Sequence, residues 1–159
     1  MMNLTRKQIK ALLEVISSDN SRPVLCYLWT ENTEDGSYFI ATDSYKAVML
    51  KTHHSQDKQL AVHRDELTKW YKLAKTSDIL TEEDILAMMT EQDINFPKVP
   101  ELLKNITVVA PDTIGFNAGY ADTLERIASR PLYYKINGEL APMVATLDNN
   151  TYILMPIKS

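Results

Sequence analysis

The sequence predicts an α+β fold of two helix-plus-three-strand units, related by a pseudo-twofold, joined as one antiparallel sheet with their helices paired upon it. Two observations carry this. Residues 1–52 read as a helix and then three strands, and residues 113–157 read as a strand, a helix and three strands, a structural repeat without evident sequence identity. A three-stranded sheet with one helix also cannot bury its apolar face alone, so each unit needs the other as a partner layer. At 159 residues, 45% of them apolar, the chain 1–159 is long enough to build that core as a single domain.

The first helix is expected from about Arg6 to Ser17. Thr5 and Gln8 spell a capping box, and Ile9, Leu12, Leu13 and Ile16 repeat at helical spacing, leaving Arg6, Lys7 and Lys10 outward. Asp19-Asn20-Ser21 breaks it. Pro23 introduces a β-rich run, Val24–Trp29, and two more strands, Tyr38–Thr42 and Tyr45–Lys51, are separated only by Asp43-Ser44 as a tight hairpin. Residues 53–112 fit the repeat poorly and read as an insertion or elaboration. They hold a short strand at Gln59–Val62, a helix at Asp65–Lys75 with Leu67, Trp70, Tyr71 and Ala74 inward, and a helix capped by Thr81 that carries Ile85, Met88 and Met89. Phe96–Pro100 must be extended, because each proline disfavours helix in the residue before it.

In the last unit, Thr113–Phe116 reads as a short strand and Asn117 as the N-cap of a helix running to about Ser129, with Tyr120, Leu124 and Ile127 on one face. Beyond Pro131, strands Leu132–Ile136 and Glu139–Thr146 are joined by Asn137-Gly138, the pair best suited to the positive φ angles of a type I′ turn. A turn at Asp148-Asn149-Asn150 leads into Tyr152–Met155, which Pro156 closes.

Seventeen basic against twenty-one acidic residues argue against a surface that seeks nucleic acid everywhere, but leave room for a local basic face. Arg6, Lys7 and Lys10 of the first helix, with Arg126 and Arg130 on or just after the last, would form such a face if the helices lie side by side. Glu14, Asp122 and Glu125 dilute it, and a solvated helix face is the plainer reading. The single cysteine, Cys26, falls in an apolar strand and cannot form an internal disulfide, which fits a reducing compartment and a packing role. No apolar run behind the N-terminus resembles a signal peptide, and no segment approaches the roughly 18 apolar residues of a membrane span. A cytoplasmic protein without a membrane partner is expected.

The residues assemble no recognisable reaction centre. His53, His54 and His63 have neither cysteine partners nor a helical i, i+4 pairing, so no metal site is expected. They read as solvated loop residues, with the adjacent pair pointing to opposite sides if the strand continues. Glu82-Glu83-Asp84 suits the positive end of a helix macrodipole better than acid–base catalysis. The four glycines, Gly36, Gly115, Gly119 and Gly138, cannot build a phosphate-cradling loop. No enzyme activity and no cofactor are expected.

Several stretches nevertheless resemble one family. Ile114-Gly115-Phe116-Asn117-Ala118-Gly119-Tyr120, followed by Asp122 and Leu124, resembles the strand-to-helix entry in the last domain of the bacterial DNA polymerase sliding clamp, the processivity-factor β subunit. Tyr152-Ile153-Leu154-Met155-Pro156-Ile157 is similar to that family's terminal strand with its Met-Pro ending, and Pro142 matches a usual proline in the strand before it. Ile40-Ala41-Thr42-Asp43-Ser44-Tyr45-Lys46-Ala47 resembles the Ala-Thr-Asp-Gly-His-Arg-Leu-Ala hairpin of the clamp's middle domain, and Phe96-Pro97 its Phe-Pro-Asp-Tyr segment. The likeness touches about two thirds of the chain.

It implies a DNA-clamp-like domain whose paired helices would line a ring around double-stranded DNA. It further implies that Thr42, Ser44, Tyr45, Lys46 and Pro97, with the strand Leu154, Met155, Pro156 and Ile157, contribute to an apolar groove for short linear peptides of replication proteins. Three departures stand out. Ser44 and Tyr45 replace the usual Gly and His, a helix replaces the three strands expected before Phe96, and the chain has material for one domain where a clamp chain has three. The leading expectation is therefore a non-enzymatic, clamp-like replication protein of phage or mobile-element origin, acting on DNA topologically, through docked peptides, or both. Encircling DNA would need a homo-oligomer, since one domain cannot close a ring. The alternative is a clamp-fold interaction module or mimic that binds protein partners without DNA.

Overall fold

A computed structural model of the chain describes residues 2–104 and 114–157. Its spine is a seven-stranded antiparallel sheet made by β2 (Tyr27–Thr33), β3 (Gly36–Thr42), β4 (Lys46–Lys51), β5 (Leu60–His63), β7 (Thr90–Glu91), β8 (Met143–Leu147) and β9 (Asn150–Leu154), in the order β7-β5-β2-β3-β4-β9-β8. A separate pair joins β1 (Asn3–Thr5) to β6 (Ile79–Thr81). The α-helices among the described residues are α1 (Arg6–Val15), α2 (Arg64–Leu73), α3 (Glu82–Met88) and α4 (Ala118–Ala128).

The predicted repeat is visible in the strand order. From the sheet centre, β4-β3-β2 runs one way and β9-β8 the other, with β4 and β9 paired antiparallel from Lys46–Leu154 to Met49–Thr151. The third strand of the second unit shrinks to one bridge, Lys135–Val144, beyond β8. The helices of the two units, α1 and α4, lie antiparallel on the same face. Gln8 Nε2 donates to the Ile127 carbonyl (2.8 Å), and the Thr123 hydroxyl donates to Glu14 (2.8 Å).

Both helix starts follow local chemistry. Thr5 Oγ1 accepts from the Gln8 amide while Gln8 Oε1 accepts from the Thr5 amide, and the Asn117 side chain accepts from the amides of Gly119 and Tyr120. The apolar stripe of α1 (Ile9, Leu12) and that of α4 (Leu124, Ile127) close on Leu28, Phe39, Val48, Leu50, Tyr152 and Leu154 of the sheet. Alternate residues of the same strands, Trp29, Tyr38, Ile40, Ala47, Met49 and Ile153, face the other way, where Phe96 and Val99 cover them. Phe96 stacks on Trp29 at 4.8 Å between centroids, with the rings nearly parallel. The central strands are thus apolar on both faces because both are buried.

The described part of the expected elaboration, residues 53–104, contributes to the sheet and to both of its faces. β5 and β7 extend the sheet beyond β2, β6 pairs with β1, and the extended run through Phe96 ends in a one-turn helix, Val99–Leu103, on the second face. The β-rich run Val24–Trp29 is also not all strand. Pro23, whose fixed φ suits the start of a helical turn, opens a one-turn helix through Cys26, and β2 starts only at Tyr27. Cys26 is buried there, its sulfur 3.5 Å from the Asp19 carbonyl, and burial pushes its thiol pKa up.

The expected hairpin at Asn137-Gly138 is a correction. Gly138 has φ +134°, but Asn137 is not among the positive-φ residues; it is buried, and its amide group donates to the carbonyl of Pro142 (3.1 Å). Pro142 has no N–H for a ladder, so Leu132–Ile136 pairs with β8 at Lys135 alone. The two-residue turn with both central φ angles positive is Asp148-Asn149 (52° and 68°), between β8 and β9. Thr113, the expected start of a strand, lies outside the described residues, and that strand is reduced to a bridge between Gly115 and Ile157.

Candidate functional site

Where the β3–β4 turn meets the end of β9, the second face of the sheet leaves a groove of about 340 Å³. Val24, Leu25, Ala47, Val99, Leu102, Ile153 and Met155 supply its apolar lining, and Arg22, Thr42, Ser44, Lys46, Pro97 and Lys98 complete it. The turn is held from within. Thr42 Oγ1 donates to the Lys46 carbonyl (2.8 Å), Asp43 Oδ1 accepts from the amides of Tyr45 and Lys46, and Lys46 Nζ meets Asp43 Oδ2 at 2.6 Å. Ser44 sits at φ +80°, a left-handed conformation that glycine adopts more readily, and its hydroxyl is hydrogen-bonded by the Arg22 guanidinium.

Of the nine residues expected at a groove, Thr42, Ser44, Lys46, Pro97 and Met155 line it. Leu154 does not, because strand alternation turns it into the helix-side core. Tyr45 is also turned away. It is 56% exposed, its ring lies 5.8 Å from that of Tyr120 on α4, and its carbonyl accepts from the Met155 amide. The bulkier residue therefore does not fill the groove. Pro156 and Ile157 lie past the lining, Ile157 bridging to Gly115. Arg22, Val24, Leu25, Val99 and Leu102 were missed by sequence reasoning. Their signals, Pro23 and Pro100, are helical-turn starters that resemble strand and loop breakers when read alone.

On the opposite layer, Lys7, Lys10, Arg126 and Arg130 border the cleft between α1 and α4, together with Asp122 and Glu125. Most of the expected positive face is committed within the chain. Arg126 pairs with Glu14 and Asp122, and this holds the Glu14 carboxyl below its ordinary range and pushes the Arg126 guanidinium up. Arg130 pairs with Asp148. Arg6 lies apart from the cleft, its guanidinium 3.9 Å over the Tyr71 ring and its Nε donating to the Tyr71 carbonyl. Lys7 and Lys10 form no ion pair or hydrogen bond among the described residues.

A third cluster gives a further role to His53, His54 and Glu82, the last of which lies in the first turn of α3 as expected. The strand ends at Lys51, so His53 and His54 do not diverge. The Nδ1 atoms of both lie 3.2 Å from the Glu82 carboxylate, which is fully buried and also accepts from their amides and from that of Met2. Burial alone would raise this carboxyl, but the converging donors outweigh it and hold it below its ordinary value. The cluster ties β1, the β4–β5 connection and α3 together. Among the described residues, no group of three or more His, Cys, Asp or Glu is arranged to hold a metal ion, and no helix is long and apolar enough to cross a membrane.

Solved structures share this architecture. The DNA polymerase sliding clamp of Caulobacter crescentus superposes with a TM-score of 0.64 at 16% identity, covering 99% of this chain and 65% of the clamp. The fold is that of a bacterial sliding clamp. The Bacillus subtilis DNA polymerase sliding clamp (TM-score 0.63, 12% identity) is covered over 64% of its length, and the DNA polymerase III subunit beta of Pseudomonas aeruginosa (0.61, 11%) over 66%, each by 99% of this chain. The chain thus spans slightly less than two thirds of the clamps it matches. No protein-family model and no curated protein matches it.

Proposed function

We propose that this chain is a non-catalytic, clamp-fold docking protein of DNA replication that receives short linear peptides of replication proteins in the groove beside β9. One observation carries the reading. Thr42, Ser44, Lys46, Pro97 and Met155, which sequence likeness to sliding clamps associates with peptide docking, converge on one concave, mainly apolar surface. A groove of about 340 Å³ suits a few side chains of an extended segment, not a folded domain. Fluorescence polarisation with a labelled Leu- and Phe-containing peptide tests it: saturable binding by the full chain, weakened by Met155→Ala, is the expected result. No binding at protein concentrations near a millimolar would remove the reading.

A second reading, contact with double-stranded DNA through α1 and α4, is favoured by their side-by-side packing and by the unpaired Lys7 and Lys10. Enclosing a duplex would further require self-association. Light scattering that finds only monomer at high concentration, with and without DNA, sinks the ring version and leaves the docking version standing.

A further inference from the structure

Across the Val99–Leu103 turn from the groove, a separate pocket of about 440 Å³ lies beside the connection between β2 and β3. We propose that this pocket binds an aliphatic polyamine, a flexible cation whose ammonium groups are separated by methylenes. Strand register builds it. Tyr38 of β3 stands directly opposite Glu31 of β2, which puts both side chains on one face, and the turn between the two strands adds Glu34 and Asp35. Met49 and Leu103 supply an apolar floor.

Tyr38 is only 7% exposed and lines the pocket, yet its hydroxyl has no hydrogen-bond partner among the described residues. Burial and the nearby Asp35 carboxylate push its pKa up, so the phenol stays protonated at neutral pH and its oxygen is free to accept from an N–H donor. Independently, Glu31, Glu34 and Asp35 form no ion pair among the described residues, and Glu31 accepts from the Trp29 indole at 3.4 Å. The neighbouring cations leave the rim net negative. Lys104 pairs with Glu101 at 3.1 Å, and Lys51 Nζ, 5.8 Å from the centre of the Tyr38 ring, donates to the Asp35 carbonyl at 2.7 Å. No three of these acids are arranged to hold a metal ion. Negative charge spread around a rim, with an apolar floor between, suits a longer cation. Its ammonium groups reach separate carboxylates, its methylenes cover Met49 and Leu103, and one N–H donates to the Tyr38 oxygen.

Calorimetric titration of the full chain compares hexane-1,6-diamine with hexamethonium, which has the same charge and carbon chain but no N–H. At low salt the diamine is expected to bind saturably at one site, about threefold to tenfold more tightly than hexamethonium, the range of one hydrogen bond. Tyr38→Phe should erase that preference and keep the parent's melting temperature. Glu34→Gln/Asp35→Asn should weaken both ligands. Equal affinities in the parent, a preference that survives Tyr38→Phe, or no saturable binding at millimolar diamine overturns the proposal. Displacement of the diamine by a blocked Gly-Arg-Gly peptide at lower concentration also overturns it, and assigns the pocket to a basic segment of a protein instead.

Discussion

The two faces of the central sheet bury apolar residues alike but spend charge differently. On the helix side, Arg126 and Arg130 are matched by Glu14, Asp122 and Asp148, and Lys7 and Lys10, which form no ion pair among the described residues, share the face with Glu125, so a face expected to be basic is diluted by acids. On the groove side, among the described residues, Lys46 is ion-paired with Asp43, Arg22 lies near enough to Asp19 to lower its pKa, and Lys98 forms no ion pair over the mainly apolar floor. A count of basic residues would rank the helix face first. Pairing within the fold, not residue number, decides which surface has charge to offer a partner.

The contrast can be broken most severely at its shared support. Trp29 is fully buried, and the wall residue Phe96 stacks on it, so Trp29→Ala should cost about 3–5 kcal/mol and release the groove wall. Thermal unfolding should shift down by roughly 10 °C, with peptide binding lost; unchanged binding would show that the wall holds without the stack.

Glu82→Gln comes next, at about 1–3 kcal/mol, because an amide NH2 would face buried donors. Since the folded carboxyl is held below its ordinary value, its contribution is present at neutral pH and is lost as pH falls through that depressed value. Denaturant melts should therefore show the variant's deficit shrinking below about pH 4. A deficit independent of pH would assign the effect to packing.

Met155→Ala should weaken peptide binding by about 1–2 kcal/mol without altering the melting temperature, since the side chain lines the groove and is only partly buried. Tyr45→Ala, on the turn's other side, should leave affinity unchanged; parallel losses would mean that the groove continues past the turn.

The smallest effects belong to the helix face. Arg126→Ala removes half-exposed ion pairs and should cost at most about 1 kcal/mol in stability. If duplex DNA does contact this face, Lys7→Glu/Lys10→Glu should flatten the salt dependence of DNA affinity by about two phosphate contacts. A steep dependence that survives the double change would place the DNA contacts elsewhere.

Much of the secondary structure was legible. The helix starts at Thr5, Thr81 and Asn117, the strands around Thr42 and Leu50, and the repeat of helix and strands all rest on chemistry between residues three or four apart or on simple alternation. The site was legible only in part. Residues carried by likeness in the turn and the last strand were found, whereas the walls contributed by Arg22–Leu25 and Val99–Leu102 were not, because each becomes a wall only when a one-turn helix folds back on the sheet.

The sequence by itself therefore determined where the helices begin, which residues turn inward and that two similar units must meet, because capping, periodicity and the need for a partner layer are local or compositional constraints. Tertiary structure alone decided the rest. Asp148-Asn149 takes the tight turn because its strands reach a paired register while Pro142 interrupts the other. Tyr45 leaves the groove because Tyr120 receives it, and the helix-face arginines are cancelled by acids as far as 112 residues away in the chain. Those outcomes depend on which distant groups the fold brings together, and that choice belongs to the whole chain.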